Sequence, residues 1–253
     1  MAGIYLISDL HLEPERRDIT ATLFRFLDTH AGHADALYIL GDLFEVWVGD
    51  DAPNPLADEL ATRLRLLGDA GVSVYLMHGN RDFLIGRDYA ANCGATLLTD
   101  PFVLDSPVGK IALLHGDTLC TRDTEYMRFR AMVRNPDWQR DFLGKSLVER
   151  QMIAQQARSR SQQATRGYAS EIMDVTHQAV VDRLQELKVN TLIHGHTHRP
   201  AIHTIRLDHP VNKRGDARRI VLGDWHAKAW YGLIDSDGIR LEHLPLLTVD
   251  HQT

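Results

Sequence analysis

Five short segments of this chain carry side chains that could hold metal ions: Ser8-Asp9-Leu10-His11, Gly41-Asp42, Gly79-Asn80-Arg81-Asp82, His115-Gly116-Asp117 and His194-Gly195-His196-Thr197-His198. Seven of these residues are suitable donors: Asp9, His11, Asp42, Asn80, His115, His196 and His198. Asp9 and His11 alternate along an extended stretch, so both can face one ion, and His196 and His198 repeat that spacing. Asp42 has two carboxylate oxygens and can bridge two ions. Asn80 offers a neutral oxygen, which keeps the centre positive enough to attract phosphate. Two divalent ions ~3.5–4 Å apart can activate a bridging water or hydroxide and neutralise phosphoryl oxygens. Singly, each segment is ordinary: Asp-x-His is a weak pattern, a histidine after a strand is commonly a hydrogen-bonded structural residue, and Gly-Asp commonly makes a turn. Together, each following an expected strand, they describe a dinuclear centre.

The elements that must position these donors are legible as apolar runs. Ile4–Ile7, Ala36–Leu40, Val72–Met77, Lys110–Leu114 and Asn190–Ile193 read as buried strands ending at Gly, Asp or His. Helical spacing joins Ile19, Leu23, Phe26 and Leu27, then Leu56, Leu60, Leu64 and Leu67, then Met173, Thr176, Val180, Leu184 and Leu187. Such alternation predicts an α/β architecture, whose sites form beyond the carboxyl ends of the strands. After residue 200, the runs Ala201–Leu207, Arg219–Leu222, Tyr231–Ile234 and Ile239–Leu244, with a hairpin signal at Ser236-Asp237-Gly238, predict a second, mostly antiparallel sheet.

With 28 Lys+Arg against 34 Asp+Glu, the chain has a net charge of −6, which argues against a nucleic-acid partner. Two cysteines, Cys93 and Cys120, make neither a disulfide framework nor a zinc ribbon and read as small buried side chains, so a reducing cytosol is the default compartment. No export signal or membrane-spanning run is evident, and residues 1–253 read as one domain. Within it, residues 121–170 stand apart. Ten basic and five acidic residues give them a balance of +5, beside Trp138, Phe142 and several Met and Leu residues, and Asn135-Pro136 should divide them into separate helices. The plain reading is an amphipathic hairpin with solvated basic faces. The functional one is a lid facing a membrane or an apolar ligand.

The same segments resemble the calcineurin-like metallophosphoesterase superfamily, over nearly the whole chain. Ser8-Asp9-Leu10-His11-Leu12, Gly41-Asp42-Leu43-Phe44-Glu45, Gly79-Asn80-Arg81-Asp82, Leu114-His115-Gly116-Asp117 and His194-Gly195-His196-Thr197-His198-Arg199-Pro200 look in particular like the UDP-2,3-diacylglucosamine diphosphatases. Ile172-Met173-Asp174-Val175 after a basic helical insert fits as well. The resemblance implies a four-layer α/β/β/α sandwich with a helical lid at about 121–170. It implies hydrolysis of UDP-2,3-diacylglucosamine to 2,3-diacylglucosamine 1-phosphate (lipid X) and UMP in lipid A biosynthesis. It further implies two Mn²⁺ ions, and work at an anionic membrane surface, peripheral to the cytoplasmic side of the bacterial inner membrane. Mixed nitrogen and oxygen donors also suit Fe²⁺ or Zn²⁺. No obligate protein partner is expected.

Carried across residue by residue, Asp9, His11, Asp42 and His198 would hold one metal, and Asp42, Asn80, His115 and His196 the other. Asn80, Arg81, Asp123, Ser161, Thr165 and His196 would touch substrate. Thr165 stands where Asn is common, and Tyr168, where Lys is common, cannot supply that charge. Many superfamily members place His where Arg81 stands here. Arginine is a poor general acid but clamps phosphate oxygens. A phosphate-monoester leaving group, with a second pKa near ~6, needs little protonation, which suits a diphosphate. The plainer role for Arg81 is an ion pair with Asp82. His78, His194 and Asp117 are candidates for orienting ligand imidazoles, and Trp47 for either an acyl entrance or the core. Two rivals remain: another soluble phosphoesterase acting on a nucleotide or phosphoprotein, and a metal-free scaffold for protein binding.

Overall fold

A computed structural model describes residues 3–165, 174–207 and 215–249. Three of the expected strands, β1 (Ile4–Ile7), β2 (Ala36–Leu40) and β3 (Ser73–Met77), lie parallel and adjacent. Their runs are apolar throughout because both faces are covered. Leu37, Ile39 and Leu76 pack outward against Leu23 and Phe26 of α1 (Arg17–Thr29) and Leu60 and Leu64 of α2 (Pro55–Asp69). Leu6, Tyr38, Leu40 and Met77 face inward, onto a second sheet.

That second sheet is where the structure departs from expectation. β6 (Gly109–Leu114) and β7 (Thr191–His194) belong to it rather than extending the first sheet. They are parallel to each other and to β9 (Asp216–Val221). β5 (Phe102–Ser106) and β8 (Ala201–Arg206) flank them antiparallel, in the order β5-β6-β7-β9-β8. The sheet is therefore mixed. The four C-terminal strands also divide. β10 (Lys228–Asp235) and β11 (Gly238–Pro245), joined by the expected hairpin, pair antiparallel on the β1 side of the first sheet, whose other edge is β4 (Thr96–Leu98). Leu6, Leu40, Leu113, Ile193 and Ile220 form the seam between the sheets. On the far side, Val180 and Leu184 of α7 (His177–Leu187) cover Ala112, Leu114 and Leu192. The layers run α/β/β/α.

α3 (Arg87–Asn92) is a short helix on the first layer, and three further helices occupy most of 121–170: α4 (Thr124–Val133), α5 (Pro136–Leu143) and α6 (Leu147–Thr165). The break falls where Asn135-Pro136 predicts it. Asn135 Oδ1 accepts from the amides of Asp137 (2.8 Å) and Trp138 (3.3 Å), and Pro136 opens α5. The basic residues are not all solvated. Arg150 is buried and donates to Val48 O (2.8 Å) and Asp51 Oδ1 (2.7 Å), fastening α6 to the loop after β2. Arg130 pairs with buried Asp117 (2.7 Å), and Arg134 donates to Gly79 O (2.8 Å). Arg122, Arg128, Arg140 and Lys145 are exposed.

Candidate metal centre

β1, β2 and β3 in one sheet and β6, β7 and β9 in the other deliver their C-terminal ends to one place. Main-chain bonds align the loops within each sheet, and the Asp9 carboxylate makes the crossing between sheets. Asp9 N donates to Gly41 O (3.1 Å), His11 N to Asp42 O (3.0 Å), and Gly195 N to His115 O (2.8 Å). His196 N donates to both Asp9 oxygens (3.0 and 2.9 Å), which joins residues 187 apart in sequence. The approach is so close that a Cβ on Gly79 would lie 2.1 Å from Asp42 Oδ1, and one on Gly195 2.2 Å from Asp9 Oδ2.

Six described non-glycine residues have a positive φ, and five are candidate ligands: Asp9 (55°), His11 (49°), Asp42 (50°), His196 (65°) and His198 (54°). Left-handed backbone costs an L-residue roughly 1–2 kcal/mol, so the fold holds these positions strained. Strain concentrated on the donors marks them as a built constellation rather than as turn residues.

Ligand atoms of Asp9, His11 and His198 lie within 4.8 Å of one another, and so do those of Asp42, His115 and His196. His11 Nε2 and His198 Nε2 face each other at 3.3 Å. Asn80 Oδ1 lies 2.9 Å from His115 Nε2 and 2.8 Å from His196 Nδ1. Asp42 stands between the clusters: its Oδ2 is 3.7 Å from His11 Nε2 and its Oδ1 3.8 Å from His115 Nε2. One carboxylate thus presents one oxygen to each cluster, as a bridging ligand must. The donors fit two divalent cations in number, type and convergence.

The electrostatics agree. Burial opposes ionisation of Asp9, but the His198 hydrogen bond and the surrounding imidazoles hold its pKa well below the usual carboxylate range. Burial also raises Asp42, which is 2% exposed. His115 and His198 overcome desolvation through nearby carboxylates and rise to about 9 and about 10. His196, desolvated and beside His115, falls to about 3.

A calcineurin-like phosphoesterase family model matches residues 3–200. UDP-2,3-diacylglucosamine hydrolase of Hahella chejuensis is 50% identical over 238 residues, 94% of this chain and 96% of that one. The proteins of that name from Cellvibrio japonicus and Pseudomonas putida are 48% and 49% identical, over 94% of this chain and 97% and 98% of theirs. The chain belongs to the UDP-2,3-diacylglucosamine hydrolase family of calcineurin-like phosphoesterases.

Arg81 and Asn80 sit together on the wall of a cavity of about 500 Å³. Arg81 is not the ion-pair partner of Asp82. Asp82 is wholly buried and accepts from Leu43 N and Gly79 N, both at 2.7 Å, so it builds the loops beneath the donors. The Arg81 guanidinium reaches toward Glu45 (3.7 Å). Asp123 lines the same cavity while its Oδ1 caps α4 through Tyr126 N (2.9 Å). Ser161 and Thr165 lie on α6, with side chains outside the described set, and Tyr168 lies outside the described residues. Trp47 is a core residue that also reaches the cavity wall. It is 7% exposed, packs on Phe44 and Tyr89, and lines the cavity. Cys93 and Cys120 are both buried, and burial pushes both thiols up to about 12, which disfavours the reactive thiolate.

The groups that orient the imidazoles are not the three that sequence position suggests. His78 Nε2 donates to Ile85 O (2.7 Å), His194 Nδ1 donates to Gly195 O (2.8 Å), and Asp117 binds Tyr126 Oη (2.6 Å) and Arg130. None touches a ligand ring through these bonds. Asp117 acts at one remove, since the Tyr126 ring lies 5.9 Å from that of His196. Glu45 and Asp224 do contact ligand rings, at His11 Nδ1 (2.7 Å) and His198 Nδ1 (3.2 Å), while His115 Nδ1 donates to Leu40 O (2.9 Å). Asp224 carries a local signal: Gly223-Asp224 follows a strand as Gly41-Asp42 does. Glu45 follows Asp42 by three residues, and no spacing rule points to it.

Metal loading of this phosphoesterase should release protons. In the metal-free protein His115 and His198 are protonated at pH 7, and ligation requires their neutral form. Their raised pKa values stabilise the metal-free fold fully below the ordinary histidine value of ~6.5. That contribution disappears as pH rises through about 9 to 10. Metal affinity should therefore strengthen over the same rise. Calorimetry of Mn²⁺ binding in buffers of different ionisation enthalpy should show net proton release at pH 7, with His115 and His198 as sources. No release would mean that the imidazoles are already neutral.

Proposed function

We propose that this chain hydrolyses the diphosphate of UDP-2,3-diacylglucosamine to 2,3-diacylglucosamine 1-phosphate (lipid X) and UMP, using two divalent cations, with Mn²⁺ expected. The observation that carries the proposal is the cavity. Its polar end holds Asn80, Arg81 and Asp123 beside the donor clusters. From there it runs between the helices of the insert along Phe129, Met132, Trp138, Phe142 and Ile153. A diphosphate and a pair of acyl chains need such a joined polar and apolar space, and a soluble nucleotide or phosphoprotein does not. The names of the relatives support the same substrate.

Bound at the two clusters, divalent cations would activate water for attack on the phosphorus next to uridine and neutralise phosphoryl oxygens. The chain's own groups do the rest. Asp42 shares its oxygens between the clusters and receives Arg81 N on Oδ1 (2.8 Å), which places the Arg81 guanidinium at the mouth of the centre. There it clamps phosphate oxygens. Asn80 presents its amide at the same edge, and Asp9 holds His196 by its main chain. The phosphate leaving group requires little protonation, so the lack of an acid at position 81 is no handicap. The insert helices act as the lid, where Trp138 stacks on Phe142 (5.0 Å).

Phe129, Met132, Leu143, Val148 and Met152 of the insert are exposed, as are Arg122, Arg128 and Lys145 of the same segment. Among the described residues no helix is long and apolar enough to cross a membrane. We assign the chain a peripheral position on the cytoplasmic side of the inner membrane. Each basic residue near an anionic leaflet contributes about 1 kcal/mol, screened by salt. The paired arginines of the insert reduce that attraction below what its +5 balance suggests. Sheltered acyl chains contribute about 0.8 kcal/mol per buried CH₂. The acylated substrate should therefore exceed its deacylated analogue in kcat/KM by several orders of magnitude, and polar substitution of Trp138 and Phe142 should narrow the gap. Vesicle binding should weaken with salt. Equal kcat/KM for the two substrates would return the insert to ordinary decoration and favour a soluble substrate.

A further inference from the structure

Glu45 lies at the junction of the donor clusters and α6, and its two oxygens serve different elements. Oε2 is 2.7 Å from His11 Nδ1. Oε1 is 3.1 Å from Arg158 Nη2 on α6 and 3.7 Å from Arg81 Nη1. The side chain is 12% exposed, so solvent screens these contacts weakly. Burial opposes its ionisation, yet the His11 hydrogen bond and the two arginines keep it charged.

An acceptor at Nδ1 fixes the ring proton there. The Nε2 lone pair is then left for the cluster, where it already faces His198 Nε2 and Asp42. Asp224 backs His198 in the same manner, but among the described residues no ion pair joins it to α6. Among those residues, Glu45 alone connects a ligand imidazole to the insert in this way. We propose that Glu45 is a positioning residue that locks His11 in its ligand tautomer through one oxygen and ties α6 to the first donor cluster through the other. His11 orientation and the docking of α6 then depend on one carboxylate. The inference rests on the dinuclear reading above, and its test uses no substrate.

The test measures Mn²⁺ binding by calorimetry on metal-free wild type, Glu45→Ala, Glu45→Gln and Arg158→Gln, with hydrogen exchange of the α6 amides in the Mn²⁺-treated proteins. Wild type should bind two Mn²⁺. Glu45→Ala should weaken one step about 10–100-fold, the usual consequence of removing a ligand's hydrogen-bond partner, and should move the other step less. Glu45→Gln keeps an oxygen for His11 Nδ1–H, so its Mn²⁺ affinity should lie closer to wild type than that of Glu45→Ala. It loses the nearer of two carboxylates facing Arg158, Glu13 at 3.9 Å being the other, so α6 should exchange faster, in the direction of Arg158→Gln. Glu45→Leu, which fills the volume without an acceptor, replaces Glu45→Ala should the latter not fold. Wild-type affinities in the Ala and Leu variants would overturn the positioning role. Unchanged α6 exchange in both Gln variants would overturn the tie to the insert. Failure of wild type to bind Mn²⁺ would instead overturn the dinuclear reading beneath it.

Discussion

Asp42→Ala is expected to reduce kcat by more than about 10³-fold, beyond the loss from removing a single oxyanion donor. Both clusters share this carboxylate, with one oxygen toward His11 and the other toward His115. The fold should survive. Burial raises the Asp42 pKa even though His115 and His11 stabilise its charge, so desolvation of this carboxylate opposes the metal-free fold and its removal takes away little packing. Its left-handed backbone (φ 50°) makes Asn the better control, because Asn tolerates that conformation and keeps one oxygen. Metal content, circular dichroism and UMP release together check the result. Unchanged metal content with full activity in Asp42→Ala would refute a bridging role.

Arg81→Ala is expected to lower kcat/KM about 10²-fold with both metals retained, corresponding to ~3 kcal/mol lost from charge developing on the phosphoryl group. Little stability should be lost, since the nearest acidic partner of the guanidinium is Glu45 at 3.7 Å. Arg81→Lys should recover only part of the loss, because an ammonium cannot make the bidentate contact. A parallel fall in metal content would make the Arg81 side chain structural, acting through its contact with Glu45.

The two residues differ in how far their types and spacing reveal their roles. Asp42 reads as the shared ligand because a carboxylate has two usable oxygens, and the fold places it between two clusters. Arg81 reads first as a phosphate clamp and only secondarily as an ion-pair partner of Asp82, and burial of Asp82 removes the second role. Asp82 is consumed by two backbone amides, which no local pattern reveals. The basic balance of the insert is legible as a number but not as a distribution. Arg130, Arg134, Arg150 and Arg158 turn inward to Asp117, Gly79, Asp51 and Glu45, partners distant in sequence.

The sequence by itself determined nine of the eleven described strands, the main helices and the seven candidate donors at the strand ends, but not β4 or β5. Those features depend on local physics: a run apolar on both faces, a 3.6-residue repeat, and Gly beside Asp, Asn or His. It did not determine which sheet each strand joins. β6 and β7 read like β1 to β3 because strands of both sheets are covered on one side by helices and on the other by the opposite sheet. An apolar run records that it is buried, not what buries it. Only the tertiary structure decided that the strand ends of two sheets meet at one centre. It also decided that Glu45 and Asp224, rather than His78 or His194, back the imidazoles. A second partner for a ring nitrogen is chosen by distance across the fold, and sequence spacing carries no record of that distance.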